Sequence, residues 1–337
     1  MALINLKDLL LHAKENKYAV GSFNVTNLDL IDTFIDASVE ENSPIIMQVA
    51  EVHFKYLKLE EIGPTLTNAA NKVNIPICIH LDHGQSLKSV LRAIRAGFTS
   101  VMYDGSKYPL EENIARTKEV VKIAHSVGVS VEGEIGAVGG EAVGEEAATA
   151  HAAQKDLFTK IDEAVRFQQE TGVDAMAIAI GNVHGLYKGE PELDFDRLKS
   201  ISDAAGIPLV LHGGSGISDN DFKKAISLGI CKINFYTGIT QNAVNNVRQY
   251  LEANPGAISY PDMAKKAMDA AKETVKEVMR VFGSSKMCVA DKSLCISCDE
   301  ESCEALDPRF QPEAKTVLYS ELVEKISKEV LSQLGKK

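Results

Sequence analysis

The sequence predicts an α/β fold, a closed (β/α)8 TIM barrel with an appended C-terminal tail, and three observations carry that prediction. Apolar, β-branched runs of strand length recur eight times, at about 18–23, 44–49, 76–81, 99–103, 129–134, 174–180, 208–212 and 230–235. Between most of them lie stretches such as LDLIDTFIDASVEE, SLKSVLRAIRAG, LEENIARTKEVVKIAHSVG and DNDFKKAISLG. Their apolar positions fall three and four apart, which stacks side chains on one helical face. Several such stretches end at Gly97, Gly128, Gly172 and Gly229, where a left-handed helix cap needs a residue without Cβ. Most strand starts lie about 22 to 34 residues apart, a repeat that fits a barrel of about 250 residues better than an open sheet.

The elements follow in order. Ahead of the first strand, MALINLKDLLLHAKENKYAV interleaves charges with leucines at helical spacing and lacks the apolar block of a signal peptide, so the chain is expected in the cytoplasm. GSFNV, SPIIMQVAE and IHLDHG supply strands one to three. The interval from strand five to strand six is longer than the rest and carries GAVGGEAVGEEAATAHAAQ, a Gly- and Ala-rich acidic stretch that predicts a mobile active-site loop. IAIGNVHGLY, LVLHGG and KINFYT follow as strands six to eight. A helix near 262–282 and FGSSK close a barrel domain over 1–286.

Residues 287–337 change character. A Cys-containing linker over 287–315 ends in DPRFQPEAK, and an amphipathic helix is predicted over 316–334. Tyr319, Leu322, Val323, Ile326, Val330 and Leu334 share one face of it, opposite Glu321, Glu324, Lys325, Lys328 and Glu329. A helix of that length on a leash is marginal alone, so docking is expected, on its own barrel or across an oligomer. The sharper alternative is recruitment to a shell, since the segment resembles short C-terminal targeting peptides of enzymes packed in bacterial microcompartments. Of the six cysteines, Cys78 and Cys231 lie in apolar runs and are expected in the core. Cys288, Cys295, Cys298 and Cys303 crowd the linker with a single CxxC, which fits solvated thiols better than a metal site.

Composition narrows the partners. Hydrophobic residues make up 45% and charged residues 25%, an ordinary globular balance, and the net charge of −11 disfavours nucleic acid and anionic membrane alike. No apolar stretch approaches membrane-spanning length.

The chemistry gathers at the strand ends. In a parallel barrel every strand's C-terminal end opens on one face, where active sites are built. Asp82 and His83 close strand three, Asp104 closes strand four, Glu132 and Glu134 belong to strand five, His184 follows strand six, His212 ends strand seven and Asn234 ends strand eight. A lone histidine at a strand end is ordinarily structural. Three in one topological place point to a metal, and three neutral imidazoles leave an open position on Zn²⁺ for Lewis-acid chemistry. His12, His53, His125 and His151 lack this placement; His80 is the nearest rival and is expected to point inward. In HGGSGI, glycines allow backbone N–H groups to approach an anion, and Gly213, Ser215, Asn234 and Thr237 are expected to form a phosphate cradle.

Taken together, GSFNV, SPIIMQVAE, HLDHG, VEGEIGAVGGE, GNVHGLYKG, LHGGSG, KINFYT and MRVFGSS resemble the class II, zinc-dependent fructose- and tagatose-bisphosphate aldolases over about residues 3–286. The resemblance implies a lyase that reversibly cleaves a ketose bisphosphate to dihydroxyacetone phosphate and glyceraldehyde 3-phosphate. It implies one Zn²⁺ on His83, His184 and His212, with Asp104 and Glu134 as alternate ligands or partners of the ligands. It assigns proton transfer at the C4 hydroxyl to Asp82 and a hydrogen bond to the developing charge to Asn234. Gly185, Lys188, Gly213, Ser215 and Thr237 fall where the family binds phosphate or a supporting monovalent cation, Na⁺ or K⁺. A homodimer or homotetramer is implied as well.

Three departures bear on the aldehyde partner. Ala142 stands where family members commonly carry a second acidic or amide residue that exchanges a proton at C3, leaving Glu141, Glu145 or Glu146 to supply the base, or a shifted chemistry. Ala50 occupies the place of a frequent phosphate-contacting serine. Tyr236 replaces the Asp or Ala of the named bisphosphate enzymes and is expected to reshape the pocket. These changes leave room for a related aldolase acting on a deoxy or keto-acid sugar phosphate. Ala142 alone favours a non-catalytic sugar-phosphate-binding barrel.

Overall fold

Each of the eight apolar runs forms a strand, and the strands pair in sequence order into a closed, all-parallel barrel. They are β1 (Val20–Asn24), β2 (Ile45–Ala50), β3 (Ile77–Gly84), β4 (Ser100–Tyr103), β5 (Ser130–Ile135), β6 (Ala175–Ile178), β7 (Leu209–Leu211) and β8 (Ile230–Asn234). Closure is made by β8 on β1, with Val20 opposite Lys232 and Ser22 opposite Asn234. The computed structural model describes residues 3–138, 157–185, 187 and 189–288. The expected loop base at Glu141, the phosphate ligand Lys188 and, from residue 289, the linker and amphipathic helix lie outside the described residues.

The helices are α1 (Leu6–Glu15), α2 (Asp29–Glu41), α3 (Leu59–Ala70), α4 (Leu87–Arg95), α5 (Leu110–His125), α6 (Ile161–Thr171), α7 (Phe195–Ala205), α8 (Asp219–Ser227), α9 (Thr237–Ala253) and α10 (Tyr260–Val281). Short polar side chains start several of them: Asn5 accepts from the amide of Asp8, Ser86 from Ser89 and Ser218 from Asp221. Gly97, Gly128, Gly172 and Gly229 all have positive φ, as their place at helix ends requires. Two helices, not the single one named from periodicity, follow β8. Only Ile239 of α9 is buried, so that helix gives almost no apolar period to read.

Packing divides the barrel into two ends. At the N-terminal end α1 presses Leu6, Leu9 and Leu10 against Val20, Ile46, Cys78, Ala177, Val210 and Cys231, forming a sealed apolar plug. Cys78 and Cys231 are thus core residues, as expected. Nearer the C-terminal end the barrel interior turns polar, with Ser22, Gln48, His80, Glu132 and Lys232 all 0% exposed. Such a polar interior must be hydrogen-bonded or must serve a ligand. No helix among the described residues is long and apolar enough to cross a membrane.

Candidate active site

A single irregularity in β3 brings two neighbouring side chains to one cleft. Pairing with β4 runs regularly through His80–Ser100 and Leu81–Val101, then resumes at Gly84–Tyr103 with an extra residue on β3. His83 at this bulge has φ 45, the left-handed region, which a non-glycine residue adopts only under strong local constraint. Regular alternation would turn Asp82 and His83 to opposite faces. With the bulge, both line the same cleft. Gly84 permits the close approach, since a Cβ there would lie 2.6 Å from the carbonyl oxygen of Met102.

Around that point the three imidazoles converge. Ring centroids of His83 and His212 are 4.7 Å apart, those of His83 and His184 5.0 Å, and those of His184 and His212 5.7 Å. One ring nitrogen from each falls within 4.8 Å of the others. His184 Nε2 and His212 Nδ1 are buried without a hydrogen-bond partner among the described residues. His83, Asp104 and Glu134 form a second, overlapping group of the same tightness, and Glu134 Oε2 is likewise unpartnered. Orphaned nitrogen and carboxylate atoms facing one point are a donor set suited to a divalent metal.

The electrostatics agree. Burial drives His184 well below its ordinary pKa and lowers His212, which keeps both rings neutral as ligands must be. Burial also opposes charge on His83, but Asp82, the hydrogen bond donated to Asp104 (Nδ1 to Oδ2, 2.9 Å) and Glu134 outweigh it and raise the ring to about 10. Burial and the charge of Asp104 raise Glu134 well above the usual carboxylate range.

Asp82 itself is held ionised. Burial works against its charge, yet His83 and Lys232 outweigh it and keep the carboxyl below its ordinary range. Two amides fix the side chain: Asn234 Nδ2 donates to Oδ1 at 3.0 Å and Gln48 Nε2 donates to Oδ2 at 3.2 Å. Gln48 is oriented in turn by Ser22 and Asn24.

Beneath the imidazoles lies a buried ion pair. Lys232 Nζ donates to Glu132 Oε2 at 2.8 Å, and Glu132 Oε1 lies 3.0 Å from His212 Nε2. That contact leaves the Nδ1 edge of His212 for the shared point, the arrangement by which an outer carboxylate orients a ligand imidazole. Burial raises the Glu132 pKa, but Lys232 and the hydrogen bond to His212 prevail and bring it down to about 2. His80 bonds Ser100 at 2.9 Å and stays apart from the trio.

The cradle forms where HGGSG meets the start of α9. Gly185, Gly213, Gly214, Ser215 and Thr237 line the cleft, together with Asn24, Ala50, Asn234 and Tyr236. Gly213 has φ 67, and a Cβ on it would sit 2.0 Å from the carbonyl oxygen of Val183, so this crossing accepts glycine alone. The Tyr187 hydroxyl ties the two turns, donating to Gly213 O at 3.0 Å and accepting from Val183 N at 3.1 Å. Ser215 Oγ accepts from Gly238 N at 2.9 Å. Arg280 of α10 is ion-paired with Glu41 of α2.

Among the described candidates, Asp82, His83, His184, Gly185, Gly213, Ser215, Asn234 and Thr237 line this cleft, whereas His212, Asp104 and Glu134 are grouped with His83 and are not part of the lining. Sequence reasoning missed Asn24, Gln48 and Lys232, whose signal was a polar residue inside an apolar strand run.

Comparison with known proteins agrees with the geometry. Residues 4–287 match the family model described as fructose-bisphosphate aldolase class-II. A probable fructose-bisphosphate aldolase of Bacillus subtilis (strain 168) is 43% identical over 288 residues, 85% of this chain and 99% of that protein. A 6-phospho-5-dehydro-2-deoxy-D-gluconate aldolase of Halalkalibacterium halodurans is 42% identical over 288 residues, covering 85% and 98%. The crystal structure of the YdjI aldolase from Escherichia coli K12 superposes with TM-score 0.75 at 35% identity, over 85% of this chain and 99% of that one. A closed parallel barrel, a triad of converging imidazoles and relatives matched over almost their whole length lead to one conclusion: this chain belongs to the class II fructose-bisphosphate aldolase family and is a lyase.

Proposed function

We propose that the protein reversibly cleaves a ketose 1-phosphate or 1,6-bisphosphate into dihydroxyacetone phosphate and an aldehyde. Fructose 1,6-bisphosphate and tagatose 1,6-bisphosphate, which yield glyceraldehyde 3-phosphate, are the first substrates to try. The observation that carries this reading is Asp82, clamped between Gln48 and Asn234 beside three converging imidazoles, of which His184 and His212 each keep a nitrogen without a hydrogen-bond partner among the described residues. His83, His184 and His212 hold one Zn²⁺, with Asp104 and Glu134 as alternate ligands. When bound, that ion supplies Lewis-acid polarisation of the ketose carbonyl.

The chain's own residues do the rest. Asp82, ionised and immobile, takes the proton of the C4 hydroxyl in cleavage and returns it in condensation. The C3–C4 bond breaks with its electron pair passing to C3, and the carboxylic acid of Glu141, with Glu145 and Glu146 as alternatives, protonates that carbon. Asn234 has a second N–H to offer the charge that develops. Gly185, Lys188, Gly213, Ser215 and Thr237 hold the phosphate, aided by a monovalent cation, with the first turn of α9 directing N–H groups toward it.

A second reading has a specific observation in its favour. Ala50 and Tyr236 line the cleft without charge, which suits a deoxy or keto-acid sugar phosphate, and the H. halodurans relative carries such a name. The chain is proposed to act in the cytoplasm as a homodimer or homotetramer, with the C-terminal segment docking on a partner or a microcompartment shell.

The test is direct. With Zn²⁺ supplied, the protein exchanges a C3 proton of dihydroxyacetone phosphate with solvent and cleaves a ketose phosphate. Chelation, or Asp82→Ala, abolishes cleavage; activity surviving either treatment ends the proposal.

A further inference from the structure

The turn after β2 carries a histidine that this chemistry does not use. His53 lies on a 3₁₀ turn, Glu51–Lys55, three residues past the cleft-lining Ala50. It is 0% exposed, and neither ring nitrogen has a hydrogen-bond partner among the described residues. The turn itself is pinned, because Glu51 accepts from Gln85 N at 2.6 Å and from Ser89 Oγ at 2.7 Å. The imidazole centroid stands 5.2 Å from that of Tyr236, whose ring also lines the cleft. His53 is therefore directly behind the cleft wall. Ala50 pairs with Asp82 across β2 and β3, so this wall adjoins the carboxylate proposed to serve the C4 hydroxyl.

Leaving a buried polar atom unpaired is costly, so two on one ring call for a ligand. Burial lowers the imidazole pKa, with Asp82 opposing only in part. A neutral ring has one N–H donor and one acceptor nitrogen. Phosphates and carboxylates only accept. Hydroxyl groups do both.

Resting on the aldolase reading, we infer that His53 is a specificity-determining residue for the aldehyde half: a polyhydroxylated aldehyde moves the Tyr236 ring aside and exchanges hydrogen bonds with the imidazole. The test uses the full-length, zinc-loaded protein. Condensation of dihydroxyacetone phosphate is measured with glyceraldehyde and with propanal, equal in carbon number but with and without hydroxyls, alongside C3 proton exchange in the absence of any aldehyde.

The wild-type protein is expected to favour glyceraldehyde in kcat/KM. His53→Phe cuts that preference roughly tenfold, the worth of about one good hydrogen bond, while His53→Gln, which keeps a donor and an acceptor, retains most of it. C3 exchange by the variants reports an intact barrel. An unchanged preference in His53→Phe overturns the inference. Should that variant fail to fold, Tyr236→Ala decides: removing the wall bares the imidazole and raises the preference for glyceraldehyde, whereas no change or a fall overturns the inference. Absence of C3 exchange in the wild-type protein defeats the aldolase reading instead.

Discussion

At Asp82, burial and positive charge compete over one carboxyl, and charge prevails because His83, Lys232 and two amide donors surround it. Asp82→Asn keeps the shape and removes the base, so cleavage should drop by roughly 10²–10⁴-fold while metal content, read by atomic emission, stays at the wild-type level. The Lys232–Glu132 pair works differently, through His212. Glu132→Gln is expected to weaken zinc binding about 10–100-fold in a competition titration. It also strands a buried ammonium, at a cost of about 3–5 kcal/mol that pairing Glu132→Leu with Lys232→Met should largely relieve. In the metal-free chain Glu132 falls from 4.5 to about 2 on folding. A depressed folded pKa means that its stabilisation is complete above pH 4.5 and is lost as the pH falls toward 2. Urea midpoints across that window should fall less steeply for Glu132→Gln than for the wild-type protein. The three histidines were legible because each follows an apolar run at the same topological place. Gln48 and Lys232 were not, since each is a single polar letter inside a strand and its partners, Ser22, Asn24 and Asp82 for the one and Glu132 for the other, lie on different strands.

Among the elements, β3 and α1 divide the work. The bulge at His83 makes Asp82 and its neighbour share a cleft, and sequence alternation alone gave no hint of it: the motif HLDHG reads as a strand end whether or not a residue is extra. Gly84 was the nearest thing to a signal, because only glycine tolerates Met102 O at 2.6 Å from its Cβ position. Helix α1 was legible from its leucine spacing, though its place as the plug of the barrel was not, for nothing in a ten-residue amphipathic helix says which end it caps. Leu9→Ala there should cost about 2–5 kcal/mol in denaturant unfolding and leave KM unchanged, since the plug lies at the end away from the cleft. A shift in KM would show that the two ends are coupled.

Across the whole molecule, the family match over residues 4–287 leaves the C-terminal segment with no counterpart in that match. Removing residues from 305 onward is expected to preserve turnover and to change assembly or location; lost turnover with zinc still bound would refute a purely targeting role. The closed ring of strands was predictable from a repeat that only a barrel satisfies economically, whereas the polar interior depended on contacts among distant strands. Among the described residues that interior opens at the rim opposite α1. With α1 sealing the far end, the proposed ion, ketose and products would all pass that rim. An ion held by the imidazoles would then share its way out with whatever occupies the cleft. A bound sugar phosphate then acts as a stopper: zinc extraction by a chelator should slow in proportion to how fully the doorway is occupied.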